Sequence, residues 1–229
     1  MDLSLNTPVA QLVTDRPARA RIFERLGIDY CCGGDHSLAE ACRKNDLDPA
    51  TVAEMLDAAT DANPSSDATD WSNASLGALI DHIESTHHKY LRRELQRLER
   101  LLTRVAQAHG AEVPWTREVL DVFLDLKADL EAHMRSEEEQ VFPSIRALEE
   151  NGPSSLDRSG VEQMIEEHNE AGVALERLRE LSNGFTPPEN ACPKFRAAMD
   201  GLDELETNMH QHIHKENSIL FPRARSLAE

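Results

Sequence analysis

The sequence predicts an all-α protein: a small N-terminal helical module followed by an up-down-up-down four-helix bundle. Three observations carry this expectation. Apolar residues recur at helical spacing in four long stretches of the second part of the chain. Aromatic residues make up only 4% of the sequence while Leu, Ala, Glu and Arg dominate, a balance that favours helix over sheet. One frame is also written twice: His133-x3-Glu137 followed by Phe142-Pro143, and His212-x3-Glu216 followed by Phe221-Pro222, 79 residues later.

The N-terminal module spans residues 1–60. Thr7-Pro8 reads as a cap with proline at the first helical position, opening a short helix through Val13. A second helix runs from Pro17 to Leu26, with Gly27 as its stop. A turn-rich segment with adjacent Cys31 and Cys32 follows. Ser37-Leu38-Ala39-Glu40 is then a capping box for a third helix, and Asp48-Pro49 starts a fourth that ends near Ala59. Residues 61–73 are polar, carry proline and serine, and read as a linker.

Residues 74–229 hold the four long helices. Leu76, Leu79, Ile80, Ile83, Leu91, Leu95, Leu98 and Leu102 mark the first, which stops at His109-Gly110. The second begins near Pro114 and runs through Phe123, Leu126, Leu130 and His133 towards Pro143, where it is expected to bend or end. Val161, Met164, Ile165, His168, Leu175 and Leu178 form the third stripe, closed by Asn183-Gly184. After Pro187-Pro188 the fourth carries Leu202, Leu205, Met209, His212 and Glu216. Short connections between long helices give the up-down-up-down order.

Charge and termini exclude several classes. With 42 acidic against 24 basic residues and a net charge of −18, the surface repels phosphate backbones and anionic lipid, so neither nucleic acid nor membrane is an expected partner. No apolar run approaches the roughly 18 residues of a membrane span. The start Met1-Asp2-Leu3-Ser4 lacks a signal-peptide pattern, so the expected location is cytoplasmic, with the four cysteines as reduced thiols. Self-association into a homodimer is left open by the sequence.

The doubled frame carries the chemistry. On a helix, i and i+4 share a face, so each copy presents an imidazole beside a carboxylate. A single such pair is usually solvated, and a lone His168 on an apolar stripe is more often a hydrogen-bonded core histidine. Joint occurrence argues otherwise: His133 and Glu137, His212 and Glu216, His168 on the third helix, and His87-His88 on the first place ligand-type residues on all four helices. The helical phase favours His87 as the inward residue of the first helix, while spacing does not separate it from His88. A set of His and Glu side chains on facing helices is suited to a pair of iron or manganese ions. His82, His109, His210 and His214 lack a matching copy and read as surface or supporting residues. Glu138, Glu139, Glu166 and Glu167 read as solvated rather than as ligands.

The cysteines allow several readings. Cys31 and Cys32 just before a helix are expected to feel its positive end, which lowers a thiol pKa. A four-ligand site of Cys31, Cys32, His36 and Cys42 matches no zinc spacing, and ordinary turn cysteines are the plainer reading. The alternative is a thiol or partner site at Cys31 and Cys32. Cys192, in a proline-rich loop, is assigned nothing.

Across nearly its whole length the chain resembles the iron–sulfur cluster repair di-iron proteins of the RIC or ScdA type. The resemblance rests on Asp29-Tyr30-Cys31-Cys32-Gly33-Gly34 followed by a Leu-Ala helix, His88-x-x-Leu91, His133-x3-Glu137, Glu167-His168-Asn169-Glu170-Ala171-Gly172, and His212-x3-Glu216 with Phe221-Pro222-Arg223-Ala224. It implies a hemerythrin-like bundle with two non-haem irons, held terminally by His88, His133, His168 and His212 and bridged by Glu137 and Glu216. It favours His88 over His87. It also implies restoration of iron–sulfur clusters damaged by nitric oxide or oxidants, with damaged iron–sulfur proteins as partners and iron donation, without a defined turnover reaction, as the leading role. A nitric oxide-reducing di-iron enzyme and an oxygen- or nitric oxide-sensing binding protein are the alternatives. Oxygen-carrying hemerythrins add a fifth histidine and use His-x4-Asp on the last helix. The His-x3-Glu found here departs from that pattern and argues for a more open, reactive centre.

Overall fold

The computed structural model describes residues 3–59, 71–152 and 156–229, all of them helix or connecting turn apart from one isolated bridge between Pro8 and Ser37. Four short helices build the N-terminal module: α1 (Val9–Asp15), α2 (Ala20–Leu26, entered through a 3-10 turn at Pro17–Arg19), α3 (Leu38–Lys44) and α4 (Pro49–Asp57). The Ser37/Glu40 capping box and the Asp48 cap form as the sequence predicts. Gly27 ends α2 at φ 65°, in the left-handed region that glycine enters without steric cost.

α1 has no side-chain cap. Its first N–H groups donate instead to the loop ahead of α3, Val9 to the His36 carbonyl at 2.9 Å and Ala10 to the Gly34 carbonyl at 3.0 Å. Gly34 permits this embrace, since a Cβ there would lie 2.6 Å from the Ala10 methyl and 2.8 Å from the Tyr30 carbonyl oxygen. Asp29 ties the loop together by accepting from the backbone N–H of Cys31, Cys32 and Gly33.

The bundle consists of α5 (Leu76–Ile83), α6 (Lys89–His109), α7 (Trp115–Ser136), α8 (Phe142–Asn151), α9 (Arg158–Leu181), α10 (Pro193–Lys215) and α11 (Phe221–Leu227). Three pairs of these are single rods joined by one π turn each: Glu84–His88 joins α5 to α6, Glu137–Val141 joins α7 to α8, and Glu216–Leu220 joins α10 to α11. The second helix therefore does not end at Pro143. The π turn just before it carries the Phe142 N–H back five residues to the Glu137 carbonyl, and Pro143 enters in the first turn of α8, where its missing N–H costs nothing. Pro222 does the same after the third π turn.

Two apolar layers fill the bundle. One, from α6, α7, α9 and α10, includes Leu91, Leu130, Met134, Ala171, Met209 and Ile213. The other, from α5, α8, α9 and α11, includes Ile83, Val141, Phe142, Met164, Leu220 and Phe221. On each of the four rods the predicted ligands fall in the gap between these layers, so the fold buries a polar slab between two dry ones. Two further buried carboxylates, Glu94 and Glu206, lie in the first layer and are each gripped by an arginine, Arg97 and Arg179.

The predicted linker falls mostly outside the described residues. Its last three, 71–73, lie against the bundle: the Trp71 ring is 4.4 Å from that of His82, and Arg223 donates to the Trp71 carbonyl at 2.7 Å. The module rests on α10. Tyr30 meets the rings of His210 and His214 edge-on, and Cys31 joins the first apolar layer. His214, expected at the surface or in support of the site, is thus buried between module and bundle. No helix among the described residues is long and apolar enough to cross a membrane.

Candidate metal centre

All six residues predicted from the doubled frame and its partners converge. His88, Glu137, His212 and Glu216 form one group whose ligand atoms lie within 4.8 Å of one another, and His133, Glu137, His168 and Glu216 form a second. Both glutamates belong to both groups, while the histidines divide two and two. Glu137 Oε2 lies 3.3 Å from His88 Nε2 and 3.4 Å from His133 Nε2. Glu216 lies 3.1 Å from both His168 Nε2 and His212 Nε2. No member is more than 4% exposed.

The π turns make this possible. Glu137 and Glu216 each open one, one α-helical turn beyond His133 and His212, so each His/Glu pair shares a face before the register shifts. His88 closes the remaining π turn. A turn closed over five residues takes up one residue more than an α turn, and this moves the inward position from His87 to His88. His87 is buried too, but it stacks on the His212 ring at 5.3 Å and meets Asn208 and Lys215. Burial first, then the neighbouring His212 and Lys215, drive its pKa down to about 2, so it stands neutral behind the site. The Phe of each repeated frame is explained as well. Phe142 stacks on His88 and Phe221 on His168, closing the site on the side of the second apolar layer.

An outer ring of hydrogen bonds orients the histidines. His88 Nδ1 pairs with Glu138 at 2.7 Å, His133 Nδ1 with Glu167 at 2.7 Å, and His168 Nδ1 with Asn217 at 2.8 Å. Arg92 and Gln163 in turn hold Glu138 and Glu167. Such partners fix which ring nitrogen faces inward. Glu138 and Glu167 are thus outside both donor groups, as expected, but they are partly buried supports of the site and not simply solvated. Each of Glu138, Glu167 and Asn217 sits beside a ligand in sequence, the one signal that marked them.

Electrostatics show what the cage is built to hold. Burial pushes both glutamates up, and for Glu137 the second carboxylate adds to it, yet the surrounding imidazoles outweigh this and hold both carboxyls below the usual range. The converse holds for the histidines. Burial opposes protonation of His88 and His133, but Glu137 overcomes it, raising His88 and taking His133 to about 10. His212 is driven well below its normal value by burial and then by His88. Two carboxylates are thus balanced by protons where cations would do the same work.

The donors fit a metal pair. His88 Nε2, both oxygens of Glu137 and Glu216 Oε2 are buried and form no hydrogen bond. His133 Nε2 and His168 Nε2 face each other at 3.0 Å. These two nitrogens would hold one metal between them in place of the contact they now make. A cleft of about 310 Å³ between α7 and α9 reaches His133 and His168 and is lined by Asp129, Ser136, Glu167 and Glu170.

The cysteine segment differs from expectation. Cys31 is buried, and its contact with Cys32, together with burial, raises its pKa, contrary to the lowering expected from a helix end. The loop folds back onto α1 and the bundle, and this buries Cys31. Cys32 Sγ lies 3.8 Å from Cys31 Sγ and 3.4 Å from the His168 carbonyl. Asp29, Cys31 and Cys32 cluster closely, while Cys42 is buried in the module core and His36 bonds to the Gly33 carbonyl and Lys44.

Known proteins resemble this chain in sequence. The Hemerythrin HHE cation binding domain matches residues 79–224, and ScdA_N, described as a Domain of Unknown function, matches residues 5–60. The iron-sulfur cluster repair protein ScdA of Staphylococcus haemolyticus (strain JCSC1435) is 31% identical over 213 residues, 93% of this chain and 95% of that protein. The iron-sulfur cluster repair protein YtfE of Escherichia coli O81 (strain ED1a) is 35% identical over 219 residues, 95% of this chain and 96% of its own. YtfE of Enterobacter sp. (strain 638) is 32% identical over 221 residues, with the same coverage. With the cation-binding bundle and the ScdA-type module both matched in order, the chain belongs to the ScdA and YtfE family of iron-sulfur cluster repair proteins.

Proposed function

We propose that the chain is a di-iron protein that repairs damaged iron–sulfur clusters in other proteins by supplying iron. The observation that carries this is the cage itself: two buried groups of two histidines and two shared glutamates, in which His88 Nε2, both Glu137 oxygens and Glu216 Oε2 find no hydrogen-bond partner. His88 and His212 would hold one iron, His133 and His168 the other, and Glu137 and Glu216 both. A nitrogen and carboxylate set without thiolate suits iron or manganese better than a closed zinc site. The names of the relatives support cluster repair as the use of that iron.

Iron here is cargo as well as cofactor, since ferrous iron is what a cluster loses on damage. The two positions differ in access. His88 and His212 are fully buried, with Phe142 and His87 against them. His133 and His168 adjoin the acidic cleft between α7 and α9, whose carboxylates attract a departing cation. We assign the labile position to that pair. Free thiols at all four cysteines suit a reducing compartment, and the cytoplasm is the proposed one.

The test is recovery of a [4Fe–4S] dehydratase such as aconitase after exposure to nitric oxide or peroxide. The iron-loaded chain should restore activity, and the metal-free chain should not. Recovery no better than that from free ferrous iron at the same concentration would contradict the proposal.

A further inference from the structure

About 30 Å along α10 from the cage, by the rise of 1.5 Å per residue, the end of α6 meets the start of α10. There Cys192 Sγ lies 3.5 Å from His109 Nε2. The His109 ring is itself packed against Phe195, with ring centres 5.4 Å apart, so the imidazole is held in place beside the sulfur. An open groove of about 500 Å³ runs past both groups, and its lining includes Arg104, Gln107 and Lys194. Two cations beside a thiol stand out on a chain of net charge −18.

The charged and titratable groups around the sulfur are His109 and Arg104 from α6 and Lys194 from its own helix. Arg196 is turned to the loop carbonyls of Glu189 and Ala191. The Phe195 backbone N–H, and then His109, pull the Cys192 thiol below its ordinary pKa. The other cysteines contrast with it. Cys31 and Cys42 are buried with raised pKa values, while Cys32, half-buried as Cys192 is, has its sulfur against the His168 carbonyl.

We propose that Cys192 and His109 form a reactive-thiol site, separate from the metal cage, that exchanges with small acidic disulfides of the glutathione class. The Cys192 thiolate attacks one sulfur of the disulfide, a new S–S bond forms to Cys192, and the original S–S bond breaks. The departing sulfur leaves with the electron pair and takes up a proton. Cys192 is oxidised and the departing thiol reduced, so the disulfide is the only oxidant needed. His109 stabilises the thiolate, while Arg104 and Lys194 attract the carboxylates of the reagent. Neither Cys192 nor His109 touches the cage, so this proposal and the repair reading stand or fall separately.

The test uses the full metal-loaded chain with 5,5′-dithiobis(2-nitrobenzoate), an anionic disulfide, and cystamine, a cationic one. Released thiol is followed over a range of pH, each rate is divided by that of the same reagent with a neutral model thiol, and the modified cysteine is mapped by peptide mass. Cys192 should be modified first, and the anionic reagent should be favoured by about tenfold, the scale of charge steering across a cleft. His109→Gln should move the pH midpoint of the Cys192 reaction upward and slow it at neutral pH, and Arg104→Gln with Lys194→Gln should remove the preference for the anionic reagent. Initial modification at Cys32, an unchanged midpoint in folded His109→Gln, or no charge preference in the parent chain would overturn the proposal. If circular dichroism shows His109→Gln to be unfolded, the parent chain's mapping and charge comparison decide.

Discussion

Pairs of histidine substitutions should obey a rule set by the shared glutamates. His88 and His212 belong to one group of donors and His133 and His168 to the other. Protein sites of four ligands gain about 10–16 kcal/mol on binding metal, so an average ligand carries about 3 kcal/mol. At about 1.4 kcal/mol per tenfold, loss of one imidazole should weaken its metal by about 100-fold. His88→Gln should therefore leave the His133/His168 position filled. Adding His212→Gln strikes the group already emptied and should change the metal content no further. Adding His133→Gln instead weakens the second group by the same factor and should empty both. The assay is iron per chain after challenge with a chelator, at a strength that spares the parent protein and strips a site weakened by about 100-fold. Circular dichroism checks that each variant is helical. If His88→Gln with His212→Gln holds no iron, or His88→Gln with His133→Gln keeps one, the division of ligands is wrong.

Four further outcomes follow from the structure. In the metal-free chain His133 is raised from 6.5 to about 10, so its pairing with Glu137 stabilises the fold fully below pH 6.5 and is lost as pH rises through about 10. Metal must displace that proton, so binding should release protons and tighten with pH up to about 10; calorimetry in buffers of different ionisation enthalpy reads this, and a pH-independent affinity would contradict it. Glu138→Ala or Glu167→Ala, which frees the Nδ1 of His88 or His133, should lower metal affinity about 10- to 100-fold without changing the stoichiometry at saturation, as measured by competition with a chromophoric chelator. Saturating metal at about 100 times its Kd contributes about 2.7 kcal/mol, so stripping it should lower the melting temperature by about 5–10 °C in a thermal circular dichroism scan. Cys31→Ser with Cys32→Ser should leave iron content intact, because neither thiol belongs to the cage, while reducing recovery of a damaged cluster enzyme if the pair guides iron or docks the client. Undiminished recovery would remove the thiols from the mechanism.

The residues of the cage were legible because the duplicated frame places each His and Glu on the same face before the π turn intervenes. The Phe-Pro that follows marks that turn, though its meaning appears only once Phe142 and Phe221 are seen against His88 and His168. A uniform α-helical phase pointed to His87, and it failed by the one residue that the π turn at Glu84–His88 absorbs. Helix two, expected to bend or end at Pro143, breaks its α-helical register in the π turn just before that proline and runs on as α8. Glu138 and Glu167 looked like solvated acids because their partners, His88 and His133, arrive from other helices. Cys31 and His214 depend on docking of the module against α10, a contact between distant parts of the chain with no periodic signature. Local patterning thus identified residues that act along one helix, and it missed those whose role comes from across the bundle.

If the cage supplies the iron of a repaired cluster, isotopic labelling can follow that iron from one protein to the other. The chain is loaded with iron-57, freed of unbound metal and mixed with a damaged [4Fe–4S] enzyme and natural-abundance ferrous iron, after which the repaired enzyme is separated and its iron isotopes measured. Iron-57 should enter the repaired cluster in excess of its share of the total iron, and this excess should fall when His133 and His168 are both replaced. A repaired cluster with the isotope ratio of the surrounding solution would contradict it.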